Sequence, residues 1–260
     1  MLSSPKLLKQ ISMEMMVLKD KYELGIAAGK KAGELIRNTI NEAGQANIIL
    51  ATGTSQFQTL EQLIKEEGID WSKVVMFHLD EYIGLPVTHP ASFRKYLKER
   101  FLEKMPPLKA YYLINCEEDA EAERLRLNAI IRQHPIDVAL VGVGENGHLA
   151  FNDPPADFDT EDPYLVVNLD EQCRMQQMGE GWFASLDEVP AQAISMSVKQ
   201  IMKSTHIICS VPDGRKAQAV KDSIEQPVSP VYPASILQLH ASCIYYLDQP
   251  SAALLSATAQ

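Results

Sequence analysis

Apolar runs alternate along this chain with stretches in which apolar residues return every third or fourth position, and the alternation predicts the architecture. Residues 46–50, 73–79, 110–114, 136–141, 205–211 and 242–247 are short and largely apolar throughout, as strands covered on both faces must be. Between 19 and 43 the apolar set Leu24, Ala27, Ala28, Ala32, Leu35, Ile36 and Ile40 recurs at helical spacing and stops at Gly44. Further helical segments are expected over 56–67, 91–97 and 117–133, the last halted by Pro135. Ser4-Pro5 reads as a capped helix start ahead of residues 6–11. Helix and strand therefore alternate, which predicts one α/β domain over residues 1–260, a doubly wound and mostly parallel sheet flanked by helices in the Rossmann-like manner.

The second half is less regular. Residues 154–163 are acidic and proline-rich, a loop by composition. A short strand is expected at 164–167, a helical or mobile lid at 169–181, an edge strand at 193–197 running into helical 198–202, and a last helix at 235–240.

Composition narrows the class without naming a function. The 260 residues are 46% hydrophobic and 22% charged, an ordinary soluble composition, and the net charge of −10 argues against a nucleic-acid partner. Cys116, Cys173, Cys209 and Cys243 are scattered, with no C-x-x-C pair, so neither a zinc site nor a disulfide framework is indicated and a cytoplasmic setting is expected. No apolar run is long enough to span a membrane.

Candidate chemistry gathers where strands end. After residues 136–141 come Gly142, Gly144 and Gly147, then His148, with two amides and two carboxylates between Glu145 and Asp153. The carboxyl edge of an open parallel sheet is where such folds bind ligands. After residues 46–50, the turn Ala51-Thr52-Gly53-Thr54-Ser55 opens a helix, so its free N–H groups suit an anion, while Thr54 or Ser55 can equally serve as a simple cap. Asp80 and Glu81 close the strand at 73–79, either as loop caps or as catalytic acids, since burial disfavours their charged forms. Lys216 falls in a helix's first turn, an unfavourable place for a cation unless it is solvated or shares an anion with the N–H groups there.

Taken together, Phe77-His78-Leu79-Asp80-Glu81-Tyr82, the segment 142–154, the Thr-Gly-Thr turn and Gly214-Arg215-Lys216 resemble the glucosamine-6-phosphate deaminase/isomerase family. The likeness runs from about residue 46 to 247. Related 6-phosphogluconolactonases resemble D-E-R followed by G-D-G-H-T-A-S-L-F instead, and Tyr82 with Phe151-Asn152 set this chain apart from them. The resemblance implies conversion of a 2-amino-2-deoxyhexose 6-phosphate to a ketose 6-phosphate and ammonia, with no metal or organic cofactor. By position it makes Asp80 the base that moves a proton between C2 and C1, with Glu81 beside it, and His148 the acid/base of ring opening. Lys216 with Thr52, Gly53, Thr54 and Ser55 would hold the phosphate.

Three departures from the family follow. Asn146 stands where well-known members carry a carboxylate, and Asp153 where they carry glutamate, which leaves Asp153 as the expected partner of His148. The family's phosphate-binding lid arginine aligns near Glu180, with Arg174 a candidate replacement. Ala156-Asp157 replaces a Ser-Ser pair found in allosterically activated hexamers, so no activation by N-acetylglucosamine 6-phosphate is expected. Galactosamine 6-phosphate as substrate, a lactonase activity and a catalytically silent sugar-phosphate regulator remain alternatives, and a homo-oligomer is possible.

Overall fold

A computed structural model describes residues 13–256; the helix start expected at residues 4–11 lies outside that range. In chain order the elements are β1 (Glu14–Leu18), α1 (Lys21–Ala43), β2 (Ala46–Leu50), α2 (Phe57–Lys65), β3 (Val74–His78), β4 (Asp80–Tyr82), α3 (Phe93–Arg100), β5 (Ala110–Tyr112), α4 (Ala120–Ile131), β6 (Val138–Val141), β7 (Tyr164–Asn168), α5 (Glu171–Gly179), β8 (Gln192–Met196), α6 (Val198–Met202), β9 (His206–Val211), α7 (Ala217–Glu225) and β10 (Cys243–Asp248).

Seven strands form one sheet in the order β1-β10-β9-β6-β2-β3-β5. Every pairing in it is parallel. The sheet divides the core by strand parity. Ile48, Leu50, Val74, Met76, Val138 and Leu140 pack on one face with α1 and α2, while Ile49, Val75, Phe77, Ala139 and Val141 pack on the other with Leu127, Ile131 and Val220. With both faces covered, the strands have no polar side to show, hence the unbroken apolar runs.

Helix α1 illustrates how local sequence sets packing. Asp20 caps its start by accepting the N–H groups of Tyr22 and Glu23, and Gly44 ends it with a left-handed φ of 78°. Gly25, Gly29 and Gly33 line its contact with α2. A Cβ at Gly25 would sit 2.2 Å from the Gln58 Cβ, so the two helices meet at a distance only glycine allows.

Topology places the site. From β2 the chain steps to β3 and β5 on one side, then crosses to β6, β9 and β10 on the other. The switch point is therefore the cleft between the ends of β2 and β6, where the Ala51 N–H still donates to the Leu140 carbonyl.

Two expectations need correction, and one strand is additional. Residues 193–197 are not an edge strand: β8 is the middle of a separate three-stranded antiparallel sheet, β4-β8-β7. The last helix is 3-10 rather than α, over Pro233–Leu239. Strand β1 was not anticipated, being a half-exposed edge segment. The small sheet begins where the large one stops. β3 ends at His78, Leu79 alone intervenes, and β4 starts at Asp80, so the acid stands at the seam between the two sheets.

Candidate active site

The floor of the cleft is the turn after β2. Gly53 takes φ 90°, a conformation glycine adopts without strain, and the chain winds through a 3-10 turn at Thr54–Gln56 into α2. No side chain caps this helix start, so neither Thr54 nor Ser55 serves as a cap. The turn is fixed from below by Gln56, whose amide donates to Ser55 Oγ at 3.1 Å and to the Val141 and Ser210 carbonyls at 3.3 and 3.4 Å. This buried clamp across three strand ends was not read from the sequence. A polar residue directly after a small-residue turn is its only signal.

Lys216 comes from the opposite side. Asp213 accepts the Arg215 N–H and starts the 3-10 turn Gly214–Lys216 that precedes α7. The lysine is buried, and burial pulls its ammonium below the ordinary range, with Glu145 and Glu180 opposing that shift. Its Nζ lies 4.0 Å from Glu145, which also sits 3.5 Å from Arg215.

Asp80 and Glu81 part company. A strand turns successive side chains to opposite faces, and the two acids meet different surroundings. Asp80 lines the cleft, and its carboxyl receives no hydrogen bond from any described residue. Burial first, and the neighbouring Glu81 charge second, push it up to about 8. Glu81 is fully buried away from the cleft. It accepts the N–H groups of Tyr82, Phe93 and Arg94, the Ser92 hydroxyl and the Arg94 side chain, at 2.8 to 3.3 Å. Burial raises its carboxyl, and the Arg94 and Phe93 N–H groups pull it part of the way back. Glu81 therefore fastens the start of α3 to β4 and does not line the cleft, so of the two readings the loop-capping one fits it and the catalytic one does not.

His148 stands on the loop after β6. Gly144 makes room for it: a Cβ there would meet the imidazole at 2.3 Å. Gly147, at φ 86°, and Ala150, at φ 53°, bend the loop around the ring, the second a conformation that costs free energy in a residue with a Cβ. Phe151 and Asn152 secure the loop to the small sheet through the Ser195 hydroxyl at 3.0 Å and the Met196 carbonyl at 2.8 Å.

His148 Nδ1 lies 3.1 Å from Asp153 Oδ1, though its N–H direction is too oblique for a straight hydrogen bond. The contact is an ion-pair geometry that a small ring rotation would align. The same oxygen accepts the Asn146 amide at 3.0 Å, and the other accepts the Asp170 N–H at 3.1 Å. Burial alone would raise Asp153; His148 and these donors outweigh it and hold the carboxyl below its ordinary value. Asn146 reaches the histidine only through Asp153 and through its Oδ1, which accepts the His148 N–H at 3.1 Å. It lies outside the cleft wall, as a positioning residue.

Arg174 does not replace the lid arginine. It points away from the cleft, donating to the Leu186 and Val189 carbonyls at 2.7 to 3.2 Å. Its helix, α5, instead covers the cleft with Gln176, Gln177 and Glu180. Behind the histidine, Cys173 brings its sulfur within 4.8 Å of His148 and Asp153, a possible three-donor metal group. Burial raises that thiol far above its ordinary value.

Thr52, Gly53, Thr54, Ser55, Asp80, His148 and Lys216 all line this one cleft. One cleft of an α/β protein therefore gathers a turn opening a helix, a buried lysine, an acid with no partner among the described residues and an imidazole backed by a carboxylate, the groups that an acid–base step on a small anionic ligand would use.

Comparison with known proteins makes the class specific. The chain belongs to the glucosamine-6-phosphate isomerases/6-phosphogluconolactonase family, whose model matches residues 19–245. It is 37% identical to a glucosamine-6-phosphate deaminase of Oenococcus oeni over 231 residues, covering 89% of this chain and 95% of that one. A solved monomeric glucosamine-6-phosphate deaminase superposes with a TM-score of 0.85 at 31% identity, over 93% of this chain and all of that one. The 6-phosphogluconolactonase of Trypanosoma brucei, at 18% identity and a TM-score of 0.75 over 95% of this chain and all of that one, shares the fold. Among the described residues no helix is long and apolar enough to cross a membrane.

Proposed function

We propose that this protein is an enzyme that converts glucosamine 6-phosphate and water to fructose 6-phosphate and ammonia. The observation that carries the reading is the Asp80 carboxyl: buried, without a partner among the described residues, and in the same cleft as His148, Lys216 and the Thr52–Ser55 turn. An acid kept buried and unpaired is costly unless a ligand completes it.

In this mechanism the phosphate settles between the turn's N–H groups and the Lys216 ammonium, anchoring the sugar away from its reacting carbons. His148, backed by Asp153, protonates the ring oxygen as the C1 hydroxyl gives up its proton, and the pyranose opens to an aldehyde. Asp80 then takes the proton from C2 while the C1 carbonyl oxygen takes one from the substrate's ammonium, and Asp80 returns its proton to C1, leaving a C1 hydroxyl and a C2 iminium. Water adds to the iminium, and ammonia leaves as the C2 carbonyl forms. A carboxyl pushed up to about 8 is largely protonated in an empty site at neutral pH. The substrate's ammonium, arriving beside it, favours the ionised form and so prepares the base.

Ammonia release from glucosamine 6-phosphate and galactosamine 6-phosphate, measured side by side with 6-phosphogluconolactone hydrolysis as a control, tests the proposal. Turnover of the first is expected to exceed that of the others. Lactone hydrolysis without ammonia release would overturn it, as would sugar-phosphate binding with no turnover.

A further inference from the structure

The cleft contains one further group whose bonding is incomplete. Gln177 lies on α5, buried, and lines the cleft with Asp80 and His148. Its Oε1 accepts the Tyr82 hydroxyl at 2.7 Å. That tyrosine cannot shift: its ring is fully buried, with ring centres of Phe93, Phe151 and Phe183 at 5.0, 5.3 and 5.6 Å. Its hydroxyl must donate to something, and Gln177 Oε1 is the acceptor present.

This contact fixes which way the amide faces. With Oε1 given to Tyr82, Nε2 is turned the other way, and no acceptor among the described residues meets it. Its neighbour Gln176 differs, with Oε1 taking the Glu145 N–H at 2.8 Å and Nε2 reaching Glu180 at 3.4 Å. One glutamine is consumed within the protein; the other keeps a donor in reserve. Tyr82 is two residues beyond Asp80 on β4, so both side chains leave the strand on the same face.

Resting on the function proposed above, we infer that Gln177 is a specificity-determining residue that donates its amide N–H to a sugar hydroxyl between C2 and the phosphate-bearing carbon. With the reacting carbons at Asp80 and the phosphate at Lys216, the C3 and C4 hydroxyls of the pyranose are what remains for a further donor on the cleft lining. Tyr82 acts through it, as a positioning residue.

Calorimetric binding of 2-amino-2-deoxyglucitol 6-phosphate, an open-chain sugar phosphate that lacks the C1 carbonyl and is not turned over, and of inorganic phosphate to the wild type, Gln177→Met and Tyr82→Phe tests this. Gln177→Met should weaken the sugar phosphate about tenfold and leave inorganic phosphate unchanged. Tyr82→Phe, which frees the amide to turn, should weaken only the sugar phosphate, and by less. The 3-deoxy and 4-deoxy analogues complete the test: one of them should bind the wild type about tenfold more weakly than the parent, a difference that disappears in Gln177→Met. Equal weakening of both ligands would reduce Gln177 to a structural part of the lid and overturn the inference; so would unchanged sugar-phosphate affinity, or a wild type with no preference for the sugar phosphate over inorganic phosphate. Ammonia release is read separately. Its absence in the wild type refutes the proposed reaction, while the binding ratio still decides the role of Gln177.

Discussion

Asp80 and Glu81 are chemically near-identical neighbours on one three-residue strand, yet they have opposite roles. Glu81 receives five hydrogen bonds and fastens a helix to the small sheet; Asp80 receives none from the described residues and faces the cleft. A buried carboxylate with its oxygens satisfied is structure. One left unsatisfied is a standing cost that the fold carries for chemistry.

The sharpest way to break the comparison is Asp80→Asn. Turnover should fall between about a hundred- and ten-thousandfold, the usual range for losing a positioned base. Stability should move the other way, and with pH. The unfolded chain releases this proton near 3.8, whereas the folded one holds it up to about pH 8. Folding therefore loses on the order of 1.4 kcal/mol for each pH unit climbed between those limits. Asp80→Asn removes that loss, so its gain in Tm over wild type should be larger at pH 9 than at pH 5. An unstabilised variant would mean that the acid is not strained.

Glu81→Gln should show the reverse pattern. It sets an amide NH2 against the donors of one carboxyl oxygen, either the Tyr82 and Phe93 N–H groups or the Ser92 hydroxyl and the Arg94 N–H and guanidinium, and stability should drop by about 3 kcal/mol in denaturant titration. A normal Tm with lost turnover would move Glu81 into the reaction.

Asp153→Asn should lower turnover by more than tenfold while the fold survives, because the imidazolium loses its countercharge. A near-wild-type rate would detach Asp153 from His148. The smallest effect is expected for Glu145→Gln. Removing a half-exposed charge 4.0 Å from Lys216 should tighten inorganic phosphate about two- to fivefold at low salt. Unchanged affinity would show that Glu145 does not compete for the lysine.

Much of this was legible in the sequence, for reasons that vary by residue. The parallel strands announced themselves because a strand covered on both faces has no polar alternation. Strand β1 did not, since Glu14–Leu18 is short, half exposed and without a clear period. β7 and β8 could be seen as strands but not as members of a second sheet, because pairing partners lie far away in the chain. In the site, Asp80, His148, Lys216 and the Thr52–Ser55 turn come together in the cleft. Glu81 and Arg174 do not, and for Glu81 a clue was present: adjacent strand residues face opposite ways, so at most one of two neighbouring acids could reach the ligand. For Arg174 there was none, as its acceptors are backbone carbonyls whose positions no side-chain pattern encodes.

Leu79 is the single residue between the last position of β3 and the first of β4. The Thr52–Ser55 turn and Lys216 follow strands of the large sheet, and Asp80 opens the small one, with one leucine as the joint. Their spacing is therefore a property of how the two layers rest on each other. A relative with a differently seated small layer would present the same catalytic letters to a sugar of another length, and no substitution in the motif itself would be required.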